Sequence, residues 1–361
     1  MKQRILITGG AGFIGSRLTR QLSVQHDVWV LDSLHPQVHG PDAVMPTFAP
    51  NVRAFVGDVR DEAMVAHVMR HAQPQVIYHL AAETGTGQSH DELVRYCEVN
   101  VTATARLIDA ARHHAPGLHQ IILAGSRAVY GEGLYHDATG ARVVPDARLG
   151  TALDGGDFGV RDVAGAALTP QATDEATTPS PSSIYASTKL MQEYLVVQAA
   201  ARATWKGTIL RMQNVYGPGQ SLRNPYTGVL SIFCSQLQAG KTLDIYEDGD
   251  IVRDFVFVDD AVQAFVLALG TAAPHGTIVN IGSGRASTIL EVAQQLMGLL
   301  GIDKTSYAVS GRWRPGDIRH AVADISRAQQ LLGWTPGVSL EQGLERLVNW
   351  VVESSRNENK G

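Results

Sequence analysis

Along the first 215 residues, short apolar runs alternate with longer amphipathic stretches. RILITGG, DVWVLD, VRAFVGD, QVIYHLAAE, QIILAGS and TILRMQN are mostly apolar, and each ends in glycine or a polar residue. Runs of this length and punctuation read as buried strands. Between them, GSRLTRQLSV, DEAMVAHVMRHA, ELVRYCEVNVTATARLIDAARHH and YASTKLMQEYLVVQAAARA place apolar residues at helical spacing. Strand–helix alternation predicts an α/β fold around a parallel, doubly wound sheet, with polar groups gathered where the strands end.

From about 133 to 183 the pattern breaks into a stretch rich in Gly, Asp, Pro and Thr with no clear period. A loop this long inside a domain is functional or mobile, so a flap near the site is expected, with a loose surface insertion as the alternative. After residue 215, helical patterns at 228–239, 259–270, 288–301 and 338–354 predict a smaller second domain. FVFVDD and TIVNIGSG are expected to rejoin the first sheet. The division expected is therefore 1–214 with 255–281 returning, then 215–254 with 282–355.

Composition narrows the function. A formal net charge of -5 argues against a nucleic-acid binder, so any anion site must be local. No apolar run has membrane-spanning length, and MKQRILITGG runs straight into a strand without a signal-peptide core. Cys97 and Cys234 stand alone and far apart, which fits a reducing cytoplasm. His67 and His71 lie one helical turn apart without a third ligand, so no metal site is expected.

The first candidate chemistry lies in TGGAGFIGSRL, between the first strand and a helix. Gly9, Gly12 and Gly15 let the backbone turn sharply and let a pyrophosphate approach the helix N-terminus, whose free N–H groups and dipole favour negative charge. Asp32 closes the second strand, where a carboxylate accepts from an adenine-ribose diol and repels a 2′-phosphate, favouring NAD over NADP. Asp58 ends the third strand, in reach of the adenine or as a turn acid. The second candidate lies in SSIYASTKLMQEYL, where Tyr185 and Lys189 project from one helix face. A phenol is a poor base at neutral pH, but a nearby ammonium stabilises its phenolate.

Together TGGAGFIG, Asp32, HLAA at 79–82, Asn100 in EVNVTAT, SRAVYG and YASTK resemble the extended short-chain dehydrogenase/reductase family, in its NAD-dependent sugar-nucleotide epimerase/dehydratase branch. The resemblance runs from residue 3 to about 350. It implies a Rossmann domain that keeps NAD bound and a smaller C-terminal α/β domain for a nucleoside-diphosphate sugar. The catalytic set would be Ser126, Tyr185 and Lys189. NAD would lie along Gly9, Gly12, Phe13, Ile14, Gly15, Asp32, Asp58, Val59, Leu80, Ala81, Ala82, Asn100, Tyr185 and Lys189. A homodimer would form through helices at about 91–113 and 186–203.

On the substrate side, Arg253 and Arg314 match the family's phosphate-contacting arginines, a role that suits the guanidinium fork. The alternative for each is an ordinary surface ion pair. Asn214 matches the diphosphate-binding asparagine, and Asp317 would sit near the nucleoside. AAETGTGQS, QNVYGPGQSLRNPYTGVLSIF and IYEDGDIVRDF resemble members that interconvert dTDP-L-rhamnose and dTDP-6-deoxy-L-talose. That implies a dTDP-linked 6-deoxyhexose, with Glu83, Thr84, Gln88, Ser126 and Arg127 beside the sugar and Asn224 and Tyr226 near the base.

The implied reaction is C4 epimerisation. A 4,6-dehydratase needs an acid pair where this chain has Arg127 and Ala128, and neither can serve at neutral pH. A uronate decarboxylase is disfavoured by Ala128, at its usual glutamate position. Other sugar-nucleotide 4-epimerases, a one-way ketoreductase and a non-catalytic NAD sensor remain as alternatives.

Overall fold

The computed structural model describes residues 2–222, 224, 226, 228–272 and 274–358. Seven strands pair in parallel in the order Thr277–Ile281, Lys206–Met212, Gln120–Ser126, Val76–His79, Arg4–Thr8, Asp27–Asp32, Val52–Val56. The chain reverses its direction of winding between Arg4–Thr8 and Val76–His79, and a crevice opens at such a switch point. Alternate residues of each strand serve the two faces, as the pleat requires. Ile5, Ile7, Val28 and Val30 join one core, while Leu6, Trp29 and Leu31 join the other. This is a Rossmann-type doubly wound α/β fold.

The helix expected over 92–114 is interrupted. Leu93–Tyr96 and Ala103–His114 flank a π-helical turn at Cys97–Thr102. Thr104 Oγ1 donates to the Asn100 carbonyl at 2.7 Å, inserting a side chain into the backbone ladder. The turn aims Asn100 at the Glu83 backbone, which it clamps through both amide atoms at 2.8 and 3.1 Å.

Beyond residue 215, helices Val229–Gln238, Val258–Ala268, Ile289–Leu299 and Leu340–Glu358 match the expected positions closely. Thr277–Ile281 lies in the large sheet, whereas Phe255–Phe257 does not rejoin it. It pairs instead with Asn214–Tyr216 in a separate two-stranded ribbon.

The 133–183 segment is not a loose insertion, and its end, Ser182 and Ser183, lines the crevice. It carries a three-stranded antiparallel sheet, from Tyr135–His136, Arg142–Val143 and Thr169–Pro170, over Tyr135, Val160 and Leu168. Arg148 fastens it to the residues on either side of it in space, pairing with Glu132 at 3.0 Å and Glu247 at 2.8 Å. Strands of two residues are too short to show a period, so this order was invisible in the apolar pattern. Among the described residues, no helix is long and apolar enough to cross a membrane.

Candidate active site

A cleft of about 1230 Å³ opens along the carboxyl edge of the sheet and continues among the elements beyond residue 215. Gly9, Gly12, Phe13, Ile14, Gly15, Leu80 and Ala82 line it on the nucleotide side. Gly9 holds a left-handed φ of 72°. A Cβ on Gly15 would fall 2.0 Å from the Gly9 carbonyl oxygen, and one on Gly9 would fall 2.7 Å from Ala81 N. No side chain caps the helix that begins at Phe13. Its N-terminus therefore faces the cleft with free N–H groups, and the missing Cβ atoms leave a cradle shaped for a pyrophosphate.

Asp32 is buried and supports the loops around this cradle. Its carboxylate accepts from Ala11 N and from Leu34 N, each at 2.9 Å. Asp58 is forked by Arg60, at 2.8 Å for the shortest contact. Burial pushes the Asp58 carboxyl up, but the Arg60 hydrogen bonds and charge together hold it below the usual range. Asp32, Asp58, Val59, Ala81 and Asn100 are not in the cleft wall itself; they lie behind it or flank it.

Ser126, Tyr185 and Lys189 all line the cleft. Ser126 ends its strand and caps the short helical turn Arg127–Tyr130, accepting from Ala128 N at 3.2 Å. Ser183 caps the helix Ile184–Ala200, accepting from Ala186 N at 3.2 Å, which places Tyr185 in its first turn. Burial raises the Tyr185 phenol, and a hydrogen bond with Ser126 pulls it back down. The Tyr96 ring stands edge-on to it, 6.4 Å away. Lys189 is buried, with Nζ donating to the Ala124 carbonyl at 2.8 Å and to Gln192 Oε1 at 2.5 Å. Burial brings its ammonium down to about 8, with Glu193 opposing. The group that pulls the phenol toward ionisation is thus Ser126, while the Lys189 ammonium points to Gln192 and Ala124.

On the substrate side, Thr84, Arg127, Asn214, Asn224, Tyr226, Arg253, Arg314 and Asp317 line the cleft. Arg127 is buried, donates to the Gly131 carbonyl at 2.8 Å, and leaves Nε without a partner. Burial, then the charge of Arg253, lower its guanidinium to about 10. Arg253 donates to the Ile318 carbonyl at 2.9 Å and is lowered by burial, with Asp317 opposing. Among the described residues, no carboxylate forms an ion pair with either arginine. Arg314 stacks over Tyr246, with its guanidinium carbon 4.5 Å from the ring centroid. Burial raises the Asp317 carboxyl, and Arg253 and Arg314 oppose this.

Glu83 and Gln88 are not in the cleft wall. Glu83 pairs with Arg95 at 2.7 Å. Gln88 exchanges amide hydrogen bonds with Gln37 at 2.8 and 2.9 Å, and Gln37 also donates to Asn224 at 3.1 Å. Gln37 thereby ties the loop after the second strand to the loop that carries Asn224. Sequence reading missed Gln37, Arg148 and Gln192. Only Gln192 carried a signal, as a polar residue on the same helix face as Lys189.

A family model described as the NAD dependent epimerase/dehydratase family matches residues 5–148 and 159–282. The dTDP-L-rhamnose 4-epimerase of Burkholderia thailandensis is 40% identical over 353 residues, 97% of this chain and 95% of that protein. The crystal structure of UDP-glucose 4-epimerase from Thermotoga maritima with UDP-glucose superposes with a TM-score of 0.79, at 28% identity, covering 97% of this chain and 99% of that one. The Thermus thermophilus UDP-glucose 4-epimerase in complex with NAD gives a TM-score of 0.77 at 27% identity, with 97% and 99% coverage.

Proposed function

We propose, from the premise that this chain belongs to the NAD dependent epimerase/dehydratase family, that it inverts C4 of a nucleoside-diphosphate 6-deoxyhexose. The substrate pair we assign is dTDP-L-rhamnose and dTDP-6-deoxy-L-talose. The observation that carries the reading is the wall beside Ser126. Arg127 and Ala128 follow it, and the carboxylates lining the cleft, Asp91, Asp244 and Asp317, all lie on other segments. With no acid on that strand, water elimination lacks its acid and base, and the chemistry stops at proton and hydride. The 40% identity to an enzyme named for dTDP-L-rhamnose supports the substrate.

NAD is the cofactor of the family, and when bound it supplies a site that takes hydride from C4 and returns it. The chain's own residues do the rest. Tyr185, ionised, takes the proton of the 4-hydroxyl, and Ser126 bonds the same oxygen and orients it. Positioned proton transfer of this kind is worth about 10²–10⁴-fold. Lys189 fixes the cofactor's position through its one uncommitted N–H. Arg253, Arg314 and Asn214 hold the diphosphate while the 4-keto sugar turns over, so Tyr185 returns its proton after hydride reaches the opposite face. Leu93, Val94, Met191 and Tyr194 leave apolar surface exposed on the helices around 93–96 and 184–200, which supports a homodimer there.

Purified protein incubated with dTDP-L-rhamnose should show exchange at C4 by NMR without added cofactor. No exchange, or a strict need for external NADH, overturns the reading. Faster turnover of UDP-glucose would keep the epimerase and replace the sugar.

A further inference from the structure

We propose that Gln192 is a positioning residue that holds the Lys189 side chain, as a hydrogen-bond donor, where it serves the cofactor. The inference rests on the reading that Lys189 fixes bound NAD. Gln192 lies three residues beyond Lys189 on the same helix and is fully buried. An ammonium has three donors. Two of them engage Ala124 O and Gln192 Oε1, which leaves one for the cleft that Lys189 lines.

The direction of the Gln192 amide follows from its neighbours. Thr104 Oγ1 gives its hydrogen to the Asn100 carbonyl at 2.7 Å, so toward other groups it can only accept. It accepts from Gln192 Nε2 at 2.9 Å and from His79 Nε2 at 2.9 Å. His79 therefore carries its proton on Nε2, and its Nδ1 accepts from Thr8 Oγ1 at 2.7 Å. With the amide nitrogen turned to Thr104, the amide oxygen must face Lys189. A buried amide is costly unless hydrogen-bonded, and here both ends are.

The arrangement holds a cation without neutralising it. The ionisable groups around Lys189 are Tyr185 and Glu193 on its own helix and His79 from the strand Val76–His79. Glu193 is committed to Arg211 at 2.7 Å. Burial, and then the charge of Lys189, hold His79 neutral by lowering it to about 3. Among the described residues no second cation bonds to the groups that hold Lys189, and the carboxylate on its own helix, Glu193, is already paired.

The test follows NAD leaving the diluted holoenzyme across pH, for the wild type, Gln192→Leu and Gln192→Glu, each checked for a native thermal transition. In the wild type, release should quicken as pH rises through about 8, where the ammonium deprotonates. Gln192→Leu removes an acceptor of the charged form and should move that limb down by about one pH unit. Gln192→Glu adds a carboxylate and should move it up by about one unit. The kcat for C4 exchange should follow the same limbs, with KM for the sugar nucleotide unchanged. A residue that only filled space would not shift the two variants in opposite directions. One common limb, or shifts of one sign, overturns the proposal. If the leucine variant does not fold, the upward shift of the glutamate variant decides alone. Opposed limbs in NAD release with no turnover in any protein would overturn the epimerase reading and leave the role of Gln192 standing.

Discussion

Lys189 and Arg127 are both buried, both cationic and both in the wall of one cleft, yet they are satisfied in opposite ways. Lys189 gives two of its hydrogens to fixed protein oxygens within 2.8 Å. Arg127 gives one to a carbonyl, leaves Nε unpartnered and has Arg253 as a charged neighbour. A buried polar group without a partner costs about 1–3 kcal/mol, so one that persists calls for an explanation. The difference separates the two halves of the site. On the proposed assignment, the cofactor side is preorganised for a group that stays, whereas the substrate side keeps donors in reserve for a ligand that comes and goes.

The strongest way to test the ordered side is to remove the hydroxyl proposed to carry the proton. Tyr185→Phe keeps the ring and its edge-on contact with Tyr96 but deletes the hydroxyl. C4 exchange should fall about 10²–10⁴-fold while NAD content per protein stays at the wild-type level. Exchange near the wild-type rate would assign the proton to another group.

Next in size is the anchor of the inserted sheet. The Arg148 side chain is only 5% exposed and lies between Glu132 and Glu247. It also donates to the Asp317 carbonyl at 3.1 Å, which ties the insertion to the substrate wall. Arg148→Met would take the ion pair from buried Glu132 and leave Glu247 to Arg319 alone, and should cost about 3–5 kcal/mol, read from the denaturation midpoint. The KM for the sugar nucleotide should rise with it, because Asp317 loses its support. A loss below about 1 kcal/mol would mean that Arg319, 2.9 Å from Glu247, suffices as its counter-ion.

What could be read from the chain alone follows the same division. The sheet, the glycine cradle and the Tyr185–Lys189 spacing were legible because each is local. A strand announces itself in a few residues, a glycine turn in seven, and a helix face in four. The family resemblance named most residues of the substrate wall, but what fastens that wall was not legible, because its contacts are distant. Arg148 and Glu247 are 99 residues apart, and no period links them. Gln37 meets Gln88 and Asn224 across 51 and 187 residues. Gln88 looked like a sugar contact while it was a letter in a motif. Folding turns it toward Gln37 instead, and the π turn at Cys97–Thr102 answers to one threonine back-bond that no apolar pattern encodes.

The smallest effect bears most directly on the contrast. Arg127→Met keeps the length of the side chain and removes an unpaired buried charge. If the guanidinium is held in reserve for substrate, the variant should bind and turn over less well. A hydrogen bond to a charged group is worth about 1.5–3 kcal/mol, so kcat/KM should fall about 10–100-fold. Stability should not fall in step, because among the described residues no carboxylate forms an ion pair with the cation, whose hydrogen bond goes to the Gly131 carbonyl. Its charge is opposed by burial and Arg253 more than it is favoured by Glu132. The two measurements on one protein are therefore expected to part, with a lower kcat/KM at an unchanged or higher denaturation midpoint. Had Arg127 been a fastener for the turn Arg127–Tyr130, the midpoint would drop and kcat/KM would follow it. That result would place Arg127 with Lys189 among the satisfied cations and remove the distinction between the two sides of the cleft.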